Sequence, residues 1–383
     1  MAAAGVAGRS QSPTVAQAEH SESRGRLPLT SFYSTPVPLP AGHPGELIRS
    51  EEFDEYRLPV GVSAVRILYH SRSANGADLA ASGVVLTPDE PPPAGGWPVI
   101  AWAHGFTGTA RRCAPSLMRN LNEGPFLSMY VKLGYAVVAT DYAGLGTNFR
   151  NASVDMQSNA TDVIYSIAAA RSAVPRLGRR WIALGESAGG LAALAVAQLE
   201  HDTQDTDYLG SIAVSGVADA RDFYEQIAKG DSPGQLLFLA YGVQTLYPTF
   251  QVNQVLTEKA LAMYQQIENA CAVTSEESEG TTVHMLKPDW EDNAFVQQFF
   301  DRNVVGRKPS QEPLLIISSS SDPAVSTGMT ARAVARMCKQ RDMVQFHQYQ
   351  SSEVARTLGD SVRDQLTGIQ ARFAGRPPSS NCP

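Results

Sequence analysis

Residues 181–199 read WIALGESAGGLAALAVAQL. An apolar strand-like run stops at a glycine and resumes three residues later as a helix rich in small side chains. A chain that does this must turn sharply out of a buried strand and lay the helix back against the same sheet. Gly185, Gly189 and Gly190 allow the crowding, and Ser187 sits at the apex, lifted above the sheet edge beside the N–H of Ala188. That arrangement suits a serine nucleophile.

The surrounding pattern supplies the sheet. AVRILYH, ASGVVLTP and WPVIAWAHG are strand-like runs, the second and third separated by the surface loop PDEPPPAGG. Helical PFLSMYVKLG then precedes the strand YAVVATDY, and a helix over 155–174 precedes WIALGES. The strand LGSIAVSGV follows. Apolar runs of this length alternating with helices predict an α/β protein whose mostly parallel central sheet is covered by helices on both faces.

Between about 218 and 303 the alternation stops, and DFYEQIAKG, GQLLFLAYGVQTLYP and VLTEKALAMYQQIENAC read as an inserted helical cap. It resumes with EPLLIISSSSD, the helix TARAVARMCKQ, the strand MVQFHQYQ and a last helix ending near Phe373. The expected organisation is an arm over 1–45, a core over 46–217, the cap over 218–303 and the rest of the core over 304–383. The arm is rich in Ser, Pro and Gly and reads as mobile or as a surface strap.

Composition removes several classes of function. A net charge of -7 lacks the clustered Lys and Arg that a nucleic-acid surface needs. No apolar run approaches a membrane span. No His, Cys and carboxylate cluster has ligand spacing, so neither metal nor cofactor is expected. The N-terminus has no basic n-region and no sustained apolar h-region, which predicts a cytoplasmic protein, with secretion the alternative. Cys113, Cys271, Cys338 and Cys382 permit two disulfides or four free thiols.

Two further stretches fit around Ser187. WAHGFTG, residues 102–108, ends a strand in a glycine-bearing loop, the kind that supplies backbone donors where negative charge develops. Phe106 and Thr107 are the candidate oxyanion donors there, beside Ala188, while His104 is read as shaping the turn. Asp322, after LLIISSSS, fits an acid at the end of a late strand, or alternatively a helix cap or turn aspartate.

The combination WAHGFTG…CAPS, TDYAGLG, GESAGG, PLLIISSSSDPAVS and RFAGRPPSSNCP resembles the secretory, lipase A-like branch of the α/β hydrolases. The resemblance runs from about residue 45 to the C-terminus. It implies an α/β-hydrolase fold with a substrate-covering cap, a small-molecule ester as partner, Ser187 as nucleophile and Asp322 as acid. It also implies the pairings Cys113–Cys271 and Cys338–Cys382.

One departure is serious. The family's histidine follows the last strand in a segment of the type Tyr-x-Gly-x-x-His, and here that segment is YQSSEV, with Val354 at the histidine position. Valine can neither take the serine proton nor activate water. Glu353, Glu186 and His347 are the candidate replacement bases. Three readings follow: elimination of an acyloxy group, hydrolysis with a displaced base, or a silent binding protein. For the first, the chain resembles the lipase-fold acetate-eliminating enzymes of tetronate polyketide pathways, in which Arg111 and Arg112 would attract an acidic ring.

Overall fold

The computed structural model describes residues 25–203, 205–229, 234–267, 271, 284–322, 325–350 and 354–382. Nine strands form a single sheet: β1 Leu47–Glu52, β2 Val62–Arg72, β3 Asp78–Pro88, β4 Trp97–Ala103, β5 Ala136–Thr140, β6 Leu177–Glu186, β7 Tyr208–Val214, β8 Leu314–Ser319 and β9 Val344–Tyr349. Their order is β1-β2-β3-β5-β4-β6-β7-β8-β9. From β5 to β9 every pairing is parallel, whereas β1, β2 and β3 join antiparallel at one edge. The mostly parallel sheet is therefore as the alternating pattern predicts. The pattern does not predict β1, whose sequence LIRSEE is polar because it lies half-exposed at the edge.

Side chains alternate across the sheet, and both sets are buried. Ala101, Val138, Ala183, Ala213 and Ile316 face one way, against helices α2 Met156–Ala173, α3 Ala188–Thr203 and α8 Thr327–Lys339. Ile100, Trp102, Val137, Ile182, Leu184, Ile212 and Ile317 face the other, against α1 Gly124–Lys132, α9 Val354–Asp360 and α10 Val362–Phe373. Apolar runs without polar alternation are the signature of strands covered on both faces. Helix α2 starts where Asp155 caps it, accepting from the Ser158 N–H at 2.9 Å.

Between the two parts of the sheet lie α4 Ala220–Lys229, α5 Gln235–Leu246, α6 Glu258–Ile267 and α7 Ala294–Arg302. They enclose an apolar cluster of their own, containing Tyr224, Phe238, Phe250, Trp290, Phe299 and Phe300. Ala188, the first residue of α3, is part of that cluster, and Phe106 packs against it. The helical segment thus seats directly on the turn after β6. Arg302 pairs at 2.6 Å with the fully buried Asp155 and fastens it to the core. The arm is not loose throughout: Leu27, Phe32 and Tyr33 are buried, and the Leu27 N–H bonds Leu117 O at 2.8 Å.

Candidate active site

Ser187 stands between the last residue of β6 and the first of α3, with φ 52°. A serine in the left-handed region is a strained arrangement that the surroundings must hold. They do so by backbone bonds: Ser187 N–H donates to Val214 O at 3.0 Å, and Ser187 O accepts from the N–H groups of Leu191 and Val217, each at 3.2 Å. Gly189 lets the helix approach β4 so closely that a Cβ there would stand 1.9 Å from Ala103 O. The half-buried Ser187 therefore sits at the carboxyl edge of the sheet, where open α/β sheets receive ligands.

The loop after β4 lies beside it. A Cβ at Gly105 would be 3.6 Å from Ser187 Cβ and 2.6 Å from Glu186 Oε1. His104 is buried, with Nδ1 2.6 Å from Gly105 O and Nε2 3.2 Å from Asp141 O, and its ring lies 4.3 Å from that of Tyr142. Burial holds the imidazole below its ordinary pKa, and the ring, set between the Gly105 and Asp141 carbonyls, braces the loop. The Tyr142 hydroxyl donates to His104 O at 3.0 Å and completes the support. Phe106 packs edge-on against Phe238 of α5, with centroids 4.6 Å apart. Thr107 is buried, and its hydroxyl has no hydrogen-bond partner among the described residues.

Beneath this loop lies a polar cluster to which the sequence reading assigns no role. Asp141 directly follows β5 and accepts from Ser116 N–H at 2.8 Å, Ser116 Oγ at 2.5 Å and Ser82 Oγ at 2.6 Å. Burial raises its pKa, and the three donors oppose that rise. The TDY that closes an apolar strand was its only sequence signal.

Asp322 follows β8, two strands from β6, and is buried in a loop where its Oδ1 accepts from Val325 N–H at 2.9 Å. The helix beyond it is capped by Ser326, so Asp322 shapes the turn and is not the helix cap.

Glu353 lies outside the described residues, and Val354 opens α9. His347 is not brought to Ser187. Its Nδ1 is 2.5 Å from Asp364 Oδ2 on α10 and its Nε2 is 3.0 Å from the Gln345 amide nitrogen. It lines a cleft of about 250 Å³ whose other walls include Gly210 and Pro313, at the opposite ends of β7 and β8. An inward-facing position on the last strand points into the α10 layer, as the strand period requires. His201 is 14 residues along α3 from Ser187, about 20 Å at the helical rise. His70 pairs with Asp78 at 3.1 Å on the antiparallel edge. Of the two candidates within the described residues, Glu186 adjoins the serine.

Arg111 donates to Gly146 O at 3.0 and 3.2 Å, bonds to a neutral carbonyl that leave its charge in place. Cys113 is bonded to Cys271, and Cys338 to Cys382. The first bridge ties the helical segment to the loop that follows the candidate oxyanion donors. Gly108 pairs with Cys271 there, and Thr109 Oγ1 donates to Ile267 O at 2.8 Å. Among the described residues no helix is long and apolar enough to cross a membrane, and no three His, Cys, Asp or Glu side chains gather as a metal site.

The profile of a family described as secretory lipase matches residues 122–381. No curated protein sequence matches significantly. Among solved structures, Candida antarctica lipase A superposes with a TM-score of 0.79 at 17% identity, over 93% of this chain and 89% of that one. The rice cell wall degrading esterase LipA from Xanthomonas oryzae gives 0.71 at 19% identity, over 88% and 99%. A hydrolase-like protein of Legionella pneumophila gives 0.71 at 17%, over 85% and 98%. At these identities the likeness is one of fold, and the fold is that of the α/β hydrolases.

Proposed function

The chain belongs to the secretory lipase family, and from that premise we propose that its site at Ser187 acts on an ester by expelling the acyloxy group rather than by hydrolysing it. Lipase-like handling of an ester comes with the family. The observation that carries the choice of reaction is the residue at the family's histidine position, Val354, in a chain that keeps the strained serine, the braced loop and the buried Asp322.

Hydrolysis needs a group that takes the serine proton, delivers it to the leaving alcohol and then activates water. Elimination needs no acyl-enzyme and no activated water. A proton leaves an already acidic carbon, its electron pair becomes the alkene, and the C–O bond breaks to release the acid's carboxylate. The N–H of Ala188, at the positive end of α3, and those of Phe106 and Thr107 are the donors for the charge on the departing carboxylate. Ser187 takes the carbon's proton as it passes its own to Asp322, and the proton then returns to the released acid. The Phe238 and Phe106 rings keep the turn dry and so suppress attack by water.

The substrate class is an O-acylated small molecule with an acidified C–H, such as an O-acetylated tetronate of a polyketide pathway. Family and disulfides support an oxidising compartment or export over the cytoplasm. Family membership also favours a second reading, hydrolysis through a displaced base.

Reaction in ¹⁸O-water separates the two. Elimination yields alkene and unlabelled acetate, and Ser187→Ala slows it by about a hundredfold or more. Alcohol with one ¹⁸O in the acetate refutes elimination.

A further inference from the structure

Glu186 occupies the position before the serine, at the end of β6, and its side chain is buried beneath the loop after β4. Its carboxyl group lies directly against Gly105. A Cβ at Gly105 would stand 2.6 Å from Glu186 Oε1, so only glycine admits the carboxyl at this distance. On its other side Gly105 is gripped by His104, whose Nδ1 lies 2.6 Å from the carbonyl. Gly105 is thus held between an acid and an imidazole, immediately before Phe106 and Thr107.

We propose that Glu186 is the positioning residue of this loop: its carboxyl group, buried against Gly105, sets the Phe106 and Thr107 N–H groups relative to Ser187. The proposal rests on the reading of residues 104–108 as the oxyanion loop. It is independent of whether elimination or hydrolysis follows.

The charged and titratable groups around the carboxyl are consistent with an uncharged form. Glu123, before α1, repels a second negative charge, and the Tyr142 hydroxyl is buried against the same side. Glu123 is itself pushed up by burial. Burial first and Glu123 second push Glu186 up to about 7, against the opposing Gly105 backbone. An ionised carboxylate beside Ser187 would oppose the negative charge that the loop has to receive. A neutral carboxyl rests against Gly105 without that conflict. Function of the loop should therefore decline as pH rises through about 7.

Two variants separate anchoring from other roles. Glu186→Gln keeps the shape and the acceptor but cannot ionise, and Glu186→Ala removes both. The first readout is hydrogen exchange of the 100–112 segment, and the second is the pH dependence of Ser187 modification by a fluorophosphonate, neither of which depends on the natural reaction. Glu186→Ala should exchange at least about tenfold faster in that segment and label at least about tenfold more slowly at saturation, with little change in half-saturation. Glu186→Gln should exchange as the wild type does and label at a rate that no longer falls between pH 6 and 8. If Glu186→Gln labels as poorly as Glu186→Ala, the residue is a base and the proposal is wrong. It is equally wrong if Glu186→Ala leaves exchange of the loop unchanged. Failure of elimination alone, with these results intact, overturns only the preceding reading.

Discussion

Asp162 offers a quantitative test of how dry the core is beneath the β2–β3 edge. It lies on α2, buried, with Oδ2 accepting from Ala143 N–H at 2.8 Å and Oδ1 accepting from the Ser71 hydroxyl. Burial raises its pKa from 3.8 to about 7, with the two donors opposing. A raised carboxyl means that the native state holds a proton that the unfolded chain gives up. Stability from this group is therefore complete below pH 3.8 and is lost as pH climbs through about 7. At 1.36 kcal/mol per unit the loss reaches about 4 kcal/mol at pH 8 and about 2 kcal/mol at pH 5. Asp162→Asn imitates the protonated acid: its oxygen accepts from Ala143, and its amide donates to Ser71 once that hydroxyl turns. Urea midpoints of both proteins, measured from pH 4 to 9 with disulfides intact, should diverge with rising pH, the variant gaining on the wild type. Glu186 titrates in both and cancels in the difference. A difference that is flat with pH, or a variant that loses ground above pH 7, would falsify the picture of a neutral Asp162, because it would mean that the anion is the native form.

Other perturbations act on the site. Val354→His should raise hydrolysis of a short acyl ester by about a hundredfold, the usual scale for a general base, read as alcohol release; no gain would break the link between that position and the choice of reaction. Replacing Cys113 and Cys271 by Ala removes a bridge between residues 158 apart, worth about 5 kcal/mol by loop entropy and in practice about 3–5 kcal/mol. Denaturant unfolding should show that loss, and exchange near residue 108 should rise as the helical segment comes away from the loop. Gly189→Ala would force a Cβ to within 1.9 Å of Ala103 O, so β4 and α3 must separate. Displacements near 1 Å cost about a hundredfold in rate, and Ser187 labelling should fall by at least that much while the protein remains folded at low temperature.

The sheet was legible because its central strands are buried on both faces, which leaves uninterrupted runs such as WIAL and LLII that no amphipathic helix would show. The edge strand Leu47–Glu52 was not, since a half-exposed edge carries the polar residues of a loop. The turn at Ser187 was legible because crowding there admits only glycine at 185 and 189, and the chain has to spell that requirement out. The supports of the site were less visible. Asp141, with its donors Ser116 and Ser82, and Glu186, with Gly105, are contacts between segments remote in sequence, formed by residue types that are common in turns. Nothing local distinguishes a carboxyl that braces a loop from one that faces water.

Val354 is the reverse case. Its importance is a matter of register, read from the spacing between Asp322 and Phe373, and folding adds only that a helix begins there. The two kinds of information meet at one point. A chain that had merely lost a histidine would have no reason to keep Ser187 at φ 52° or to bury an acid under the loop after β4, because strain and a buried carboxyl each cost stability. On the proposed reading, the retained costs keep the loop ready for negative charge, and the valine removes the group that would activate water.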